Sequence, residues 1–190
     1  MSYCDYVNNN PSELPDYLLH KHYHDHQYGF QIDDDDELFG RLILEINQAG
    51  LSWTLMLRKQ EGFRKAYSNF SIEEIAVYTE EDRERLLQDP GIIRNRLKVN
   101  AAIVNAQKIV SLKQEYGSFK GWLDAHHSLT LPDWLKLFKK NFKFVGGEIV
   151  NEFLMSTGYL PGAHSVGCPV YLEVGEINSP APPPKPPTPA

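Results

Sequence analysis

The chain has 190 residues, enough for one domain with a substantial hydrophobic core. Its 42% hydrophobic and 23% charged residues are typical of a globular protein and exclude a wholly disordered chain. No apolar run approaches the ~18 residues that a membrane span needs, and the first residues lack the basic start and apolar stretch of a secretory signal, so we expect a cytoplasmic protein without a membrane partner.

The net charge of −6 argues against a nucleic-acid partner, but the charge is unevenly distributed. Residues 91–143 contain ten Lys or Arg and three acidic residues, a net charge of +7, and the remainder of the chain carries −13. This asymmetry is consistent with a basic face for a phosphate backbone, or with ordinary solvated helix faces.

The predicted elements are helical along most of the chain. Residues 1–32 are rich in His, Tyr, Asn and Asp and have no clear period. The acids Asp33–Asp36 and Glu37 favour a helix start, and the apolar residues that follow at i, i+4 spacing extend this helix to Gly50. Further helices are predicted over 52–68, 71–77, 80–88, 95–115, 118–125, 131–140 and 146–157.

No stretch alternates with period two for long enough to demand a sheet, so we predict an all-α domain over residues 1–175. Residues 176–190 contain seven prolines and no core-forming residue. This composition predicts an extended, disordered tail.

Segment 80–107 has the pattern of a helix–hairpin–helix. A short helix stops at Asp89-Pro90-Gly91, two isoleucines follow, and a longer helix begins among basic residues. The turn N–H groups and the following helix N-terminus could bind a phosphate, with Gly91, Arg94, Arg96 and Lys98 as the candidate DNA contacts. A plain αα-hairpin in the core remains an alternative.

Two sets of residues could carry chemistry. The first combines Cys4, one of the alternating histidines within 20–26, His164 and Cys168, a Cys2His2 set that suits a structural zinc. Such a site would tie the two ends of the domain together. Buried thiols and surface histidines are the alternative.

The second set is Glu45 through Trp53. A carboxylate on an otherwise apolar helix is costly to bury unless it faces a cleft or finds a partner. With Trp53, Tyr23 and Tyr6, Glu45 would suit a planar ligand that is cationic or donates hydrogen bonds. Alternatively, Glu45 lies on a solvated face and Trp53 lies in the core.

Taken together, these residues resemble the DNA-3-methyladenine glycosylase I family of the helix–hairpin–helix superfamily. The resemblance covers roughly residues 3–171 in five ordered blocks. Cys4 precedes these blocks, which are Tyr23-His24-Asp25 with Gly29; Glu45 through Trp53, including Gln48-Ala-Gly-Leu-Ser-Trp53; Gln88-Asp89 with Gly91-Ile92-Ile93-Arg94; Phe142-Lys143-Phe144-Val145-Gly146; and His164 with Val166-Gly167-Cys168.

The resemblance implies an α-helical fold with a structural zinc held by Cys4, His24, His164 and Cys168. It implies hydrolysis of the N-glycosidic bond of 3-methyladenine in double-stranded DNA, which leaves an abasic site without lyase activity. We expect the protein to be a monomer. By the family pattern, Glu45 and Tyr23 are the catalytic residues that hydrogen-bond the base, and Trp53 and Tyr6 are its aromatic contacts.

The sequence departs from the family pattern at three aromatic positions. Tyr6 and Tyr28 replace tryptophans, and His20 falls where a tyrosine is frequent. These departures bear on which alkylated base is preferred, 3-methyladenine or 3-methylguanine.

Two other classes of protein are compatible with parts of the pattern. The His24-Asp25 doublet in an all-α chain suggests a metal-dependent HD-type phosphohydrolase, which needs a metal with open coordination. The basic stretch and the Cys2His2 set also suit a zinc-stabilised DNA-binding module without activity.

Overall fold

The computed structural model describes residues 2–9 and 11–177, and within them every regular element is helical. The predicted all-α fold is therefore confirmed. None of the described helices is long and apolar enough to cross a membrane. The helices are α1 (Tyr3–Asn9), α2 (Pro15–His26), α3 (Asp35–Gln48), α4 (Trp53–Ala66), α5 (Ile72–Ala76), α6 (Glu80–Gln88), α7 (Arg96–Tyr116), α8 (Phe119–Ala125), α9 (Leu131–Asn141), α10 (Gly147–Ser156) and α11 (Tyr171–Ile177), with a 3₁₀ turn at Ser68–Phe70.

Helices α3 to α10 begin and end close to the predicted positions because local capping groups fix them. The Asp34 side chain accepts from the backbone N–H of Glu37 at the start of α3. Ser52 caps α4, and the Asn95 side chain accepts from two backbone N–H groups in the first turn of α7. Gly117, with a φ of 82°, ends α7 in a conformation that favours glycine.

Helix α3 lies in the middle of the molecule and is buried along most of its length. Leu38, Phe39, Leu42 and Ile43 are all fully or almost fully buried. The helix contacts α4, α7, α8 and α10, so its side chains meet protein on several sides. Any polar residue in its last two turns is therefore removed from bulk water unless a cavity reaches it.

The predicted hairpin joins α6 to α7, and its turn packs against α4. The Lys59 ammonium donates to the Pro90 carbonyl at 2.7 Å. A Cβ on Gly62 would lie only 2.4 Å from the carbonyl oxygen of Gly91, so this close approach of helix and turn requires glycine at position 62. The hairpin is thus held against the same helix that carries Trp53.

The two ends of the chain meet beside this core. Gly29, with a φ of 83°, lies where a Cβ would be 2.8 Å from Cβ of Ala163.

Helices α1, α2 and α11 are additional to the predicted ones, and α11 enters the predicted tail by two residues. The rest of that tail, residues 178–190, lies outside the described residues.

Candidate active site and Cys/His cluster

A cavity of about 840 Å³ opens where α2, the end of α3, the start of α4 and the start of α10 converge. Three of the residues predicted to contact a ligand, Tyr23, Glu45 and Trp53, line it together. The complete lining is Tyr3, His20, Tyr23, Tyr28, Glu45, Gln48, Ala49, Gly50, Leu51, Trp53, Thr54, Gly146, Gly147, Glu148, Ile149 and Glu152.

Glu45 presents a buried carboxyl group to this cavity. The residue is only 3% exposed, and burial raises the pKa of its carboxyl to about 8 although the nearby Arg41 guanidinium opposes this rise. Its one hydrogen-bond partner among the described residues is the Ser156 hydroxyl at 3.5 Å. That hydroxyl has a single hydrogen and lies closer, at 3.1 Å, to the Phe153 carbonyl. The Glu45 carboxyl is therefore largely free to bind a ligand.

Aromatic rings form the walls around Glu45. The ring centroids of Tyr23 and Trp53 are 5.1 Å apart, and those of Tyr23 and Tyr28 are 5.7 Å apart. Tyr3 meets Tyr28 edge to face at 5.3 Å. The Trp53 indole N–H is buried and has no acceptor among the described residues. A flat ligand with both apolar faces and polar edges fits such a site.

Tyr6 does not line this cavity. It is 39% exposed, and it borders a separate depression with Asp16 and Arg58. Tyr3, three residues earlier on α1, lines the cavity instead, and its ring lies parallel to that of Tyr6 with centroids 6.3 Å apart. The geometry thus favours Tyr3 over Tyr6 as the direct aromatic contact.

His20 lines the cavity and is held on both sides of its ring. Its Nδ1 lies 2.9 Å from the Tyr3 hydroxyl, and its Nε2 lies 2.8 Å from Oγ1 of Thr54. Burial lowers the pKa of His20, which favours a neutral imidazole. His20 therefore fixes the Tyr3 ring in the cavity wall.

Sequence reasoning missed two charged residues at this site, Arg41 and Glu152. Arg41 is 6% exposed and lies one helical turn before Glu45 on α3. Glu152 lines the cavity from α10, accepts a 3.4 Å hydrogen bond from the Tyr28 hydroxyl, and has a raised pKa because of burial. Glu45 was predicted because it is a charged residue within an otherwise apolar helix. The same pattern could have identified Arg41 and Glu152.

Lys98 occupies a different place from the predicted one. It is 4% exposed, and its ammonium donates to the carbonyls of Asn47 and Ala49 at 2.8 Å each. These carbonyls belong to the end of α3, where a cation is favourable. The prediction of a phosphate contact is therefore corrected: Lys98 stabilises the loop that forms one wall of the cavity.

The other candidate DNA contacts remain at the outer end of the hairpin. Arg94 and Arg96 are exposed, and Gly91 is partly buried against α4. Arg94 has no ion-pair partner among the described residues, whereas Arg96 lies 3.5 Å from a Glu80 carboxylate oxygen. Three further cations of the basic stretch are paired with acids, namely Lys113 with Glu73, Lys120 with Asp124 and Lys136 with Asp133.

The four predicted metal ligands come together in one buried cluster of Cys4, His24, His164 and Cys168. Nδ1 of His164 lies 3.6 Å from Sγ of Cys4 and 3.5 Å from Sγ of Cys168. Nε2 of His24 lies 3.6 Å from Sγ of Cys168. A tetrahedral ion with metal–sulfur and metal–nitrogen bonds of about 2.3 and 2.1 Å has sulfur–nitrogen edges of about 3.5 Å, so this cluster could hold a metal.

The remaining nitrogen of each cluster histidine is also engaged. Nδ1 of His24 lies 2.8 Å from the Asp25 carboxylate, and Nε2 of His164 lies 2.7 Å from the Tyr28 carbonyl. Each oxygen accepts a ring N–H and leaves the opposite nitrogen unprotonated and directed at the cluster. Metal-binding histidines commonly have such partners.

Comparisons with known proteins agree with this geometry. Residues 15–133 match the model of a family described as methyladenine glycosylase. The chain is 35% identical to DNA-3-methyladenine glycosylase 1 of Escherichia coli, covering 90% of this chain and 97% of that protein. It is 31% identical to DNA-3-methyladenine glycosylase of Haemophilus influenzae, covering 77% and 89%.

Solved structures of similar proteins have the same fold. One is a 3-methyladenine DNA glycosylase I from Staphylococcus aureus, with a TM-score of 0.74, 32% identity and coverage of 83% of this chain and 92% of that one. Another is a tyrosine-to-phenylalanine variant of a 3-methyladenine DNA glycosylase I in complex with 3-methyladenine, with a TM-score of 0.77, 31% identity and coverage of 89% and 97%.

Proposed function

The chain belongs to the methyladenine glycosylase family, and from this we propose that it is a DNA repair glycosylase that removes 3-methyladenine from double-stranded DNA. The observation that carries the proposal is the buried, almost unpartnered carboxyl of Glu45 within an aromatic cavity. Such a site suits a flat purine that presents an amino group and that carries positive charge while it is still in DNA.

The chemistry needs little proton transfer to the base. Methylation at N3 makes the nucleobase cationic, so when the bond between N9 and C1′ breaks, the electron pair moves to N9 and the base leaves neutral. The sugar becomes oxocarbenium-like, water adds at C1′ and loses a proton, and an abasic site remains. What this chain must supply is extraction of the nucleotide from the duplex and a cavity that holds the altered base.

Four cavity residues have roles in this reaction. Glu45 accepts from the exocyclic amine, and its carboxylate form is favoured by the positive charge of the bound nucleotide. Tyr23 makes the second polar contact to the base. Trp53 and Tyr3 cover the ring system, and closure of the cavity around the base excludes water from the carboxyl.

We further propose that the Cys4, His24, His164 and Cys168 cluster binds one structural zinc ion. Two thiolates and two imidazoles are a donor set that zinc prefers, and four protein ligands leave no coordination position for substrate. The ion would join α1 and α2 to the segment after α10. It would take no part in bond cleavage.

The two other classes of protein are less consistent with these findings. An HD-type phosphohydrolase needs an open metal site, but His24 lies in the buried Cys/His cluster and Asp25 bonds to its ring. A DNA-binding module without activity gives no reason for the unpartnered Glu45. The family relatives named above are glycosylases.

One assay separates the three classes. DNA treated with a methylating agent is incubated with the full chain, and released bases are identified by chromatography. We expect free 3-methyladenine together with intact abasic DNA strands and no phosphate release from nucleotides. Binding to DNA without base release, or phosphate release instead, would contradict the proposed function. The elution volume of the same protein tests the proposed monomer.

We propose that DNA binds at the exposed end of the hairpin, with Arg94 as a phosphate contact, Arg96 beside it and Gly91 in the turn. Arg94→Ala should weaken binding to DNA of any sequence and reduce the slope of log affinity against log salt by about one. Lys136→Ala, which removes an equal charge from α9, is the matched control. Equal slopes for wild type and Arg94→Ala would mean that the DNA face lies elsewhere.

A further inference from the structure

Arg41 places a buried guanidinium directly against Tyr23. Its Nη1 donates to the Tyr23 hydroxyl at 3.0 Å and approaches the Ser156 carbonyl at 3.4 Å. The centre of the guanidinium lies 4.9 Å from the centroid of the Tyr23 ring. Three elements, α2, α3 and α10, therefore meet at this side chain.

This contact determines which way the Tyr23 hydroxyl can point. A phenol hydroxyl has one hydrogen that it can donate, and its oxygen can accept a hydrogen bond from another donor. Arg41 has donors only and cannot accept a hydrogen bond, so it occupies the acceptor position. No described residue accepts the Tyr23 hydrogen, which is consequently left for a ligand in the cavity.

We propose that Arg41 is a positioning residue that holds the Tyr23 hydroxyl as a hydrogen-bond donor toward the cavity, so that the site selects a base with a ring-nitrogen acceptor there. The inference rests on the proposed function. Together, Glu45 as acceptor and Tyr23 as donor match adenine, whose N6 amine stands beside the N7 acceptor. Guanine presents two acceptors on that edge, O6 and N7, and so fits this pair less well.

The first test uses the unaltered protein. Binding of free 3-methyladenine is measured by the change in intrinsic tryptophan fluorescence, since Trp53 lines the cavity. It is compared with binding of the 7-deaza and 1-deaza analogues, each of which lacks one ring-nitrogen acceptor. We expect one analogue to bind about tenfold more weakly, the loss of one good hydrogen bond. Tyr23→Phe should bind that analogue and 3-methyladenine with equal affinity. Undiminished binding of both analogues to wild type would overturn the proposal.

The second test asks whether Arg41 acts through Tyr23. Arg41→Met removes the donors and the charge but keeps side-chain length, and Arg41→Lys keeps the charge. In single-turnover release of 3-methyladenine, we expect Arg41→Met to cost about tenfold in the wild-type background and less than twofold in the Tyr23→Phe background. Arg41→Lys should recover part of the loss. If the reductions in release rate caused by Arg41→Met and by Tyr23→Phe multiply in the double variant, the two residues act independently and the proposal is overturned.

The two proposals fail in different ways. If wild type releases no base from methylated DNA, the proposed function is wrong whatever Arg41 does. If wild type releases 3-methyladenine but the losses multiply, or neither analogue binds more weakly, the proposed role of Arg41 is wrong and the proposed function stands. Should Arg41→Met fail to fold, as seen by circular dichroism, the comparison is made with Arg41→Lys, whose loss should also be smaller in the Tyr23→Phe background than in wild type.

Discussion

Replacing Glu45 with glutamine is expected to slow 3-methyladenine release by about ten- to a hundredfold while leaving affinity for abasic DNA almost unchanged. The amide keeps the shape of the side chain but lacks the negative charge that a cationic nucleotide favours. Affinity for abasic DNA depends mainly on phosphate contacts outside the cavity, which this change does not touch. The measurements are single-turnover base release and equilibrium binding to abasic DNA.

The same variant should be more stable than wild type, increasingly so as pH rises. The folded-state pKa of Glu45 is raised from 4.5 to about 8, so the folded protein holds this proton more tightly than the unfolded chain does. Its contribution to stability is fully present below pH 4.5 and is lost as pH rises toward 8. Glutamine does not titrate, so its advantage should reach about 5 kcal/mol above pH 8.

Thermal unfolding of both proteins between pH 5 and pH 9 measures this difference. Glu115→Gln, the same change at an exposed position of α7, is the matched control and should show no such trend. Release rates equal to wild type in Glu45→Gln would refute its assignment to base recognition. A stability difference that does not depend on pH would mean that Glu45 is ionised and solvated in the folded protein.

Replacing Cys168 with alanine is expected to remove the bound metal and lower the melting temperature by about 10 °C. Loss of one of the four proposed ligands would weaken the proposed metal site, and with it the connection between the N-terminal helices and the segment after α10. A loss of about 3 kcal/mol corresponds to about 10 °C for a domain of this size. Metal content by mass spectrometry and unfolding by calorimetry measure the two effects.

The control for this prediction is His26→Ala. His26 is an exposed histidine on α2 that lies outside the cluster, so its loss should change neither the metal content nor the melting temperature. Wild type purified without chelator should contain about one zinc per chain. If it contains no metal, and Cys168→Ala melts at the wild-type temperature, the zinc site does not exist.

Much of the helical fold could be predicted because its stabilising residues are apolar and regularly spaced. Among the helices that were not predicted is α2, whose buried face consists of Tyr17, His20, Tyr23 and His24. These residues have helical spacing, but periodicity analysis counts apolar residues, and Tyr and His are only partly apolar. Periodicity therefore did not predict α2, the helix that carries His24 of the Cys/His cluster and Tyr23 of the cavity wall.

The site residues divide in a similar way. Glu45, Tyr23 and Trp53 were predicted to share a site because of their chemistry, and they line one cavity. Lys98 was misplaced because its sequence context, next to Arg94 and Arg96, suggests a surface cation, whereas its tertiary role at the end of α3 depends on which helix lies nearby. Tyr3 and Tyr6 could not be distinguished without knowing how α1 is rotated.

The join between the ends of the chain also sets the order in which the enzyme can assemble during synthesis. Cys4 and His164 are 160 residues apart, so the cluster cannot form until almost the whole domain has left the ribosome. Tyr23 precedes His24 on α2 and lines the cavity, so this part of the cavity wall is held in place only when the cluster forms. A nascent chain that carries Glu45 and Trp53 but ends before residue 164 has half of the ligands, and its cavity wall is not yet anchored.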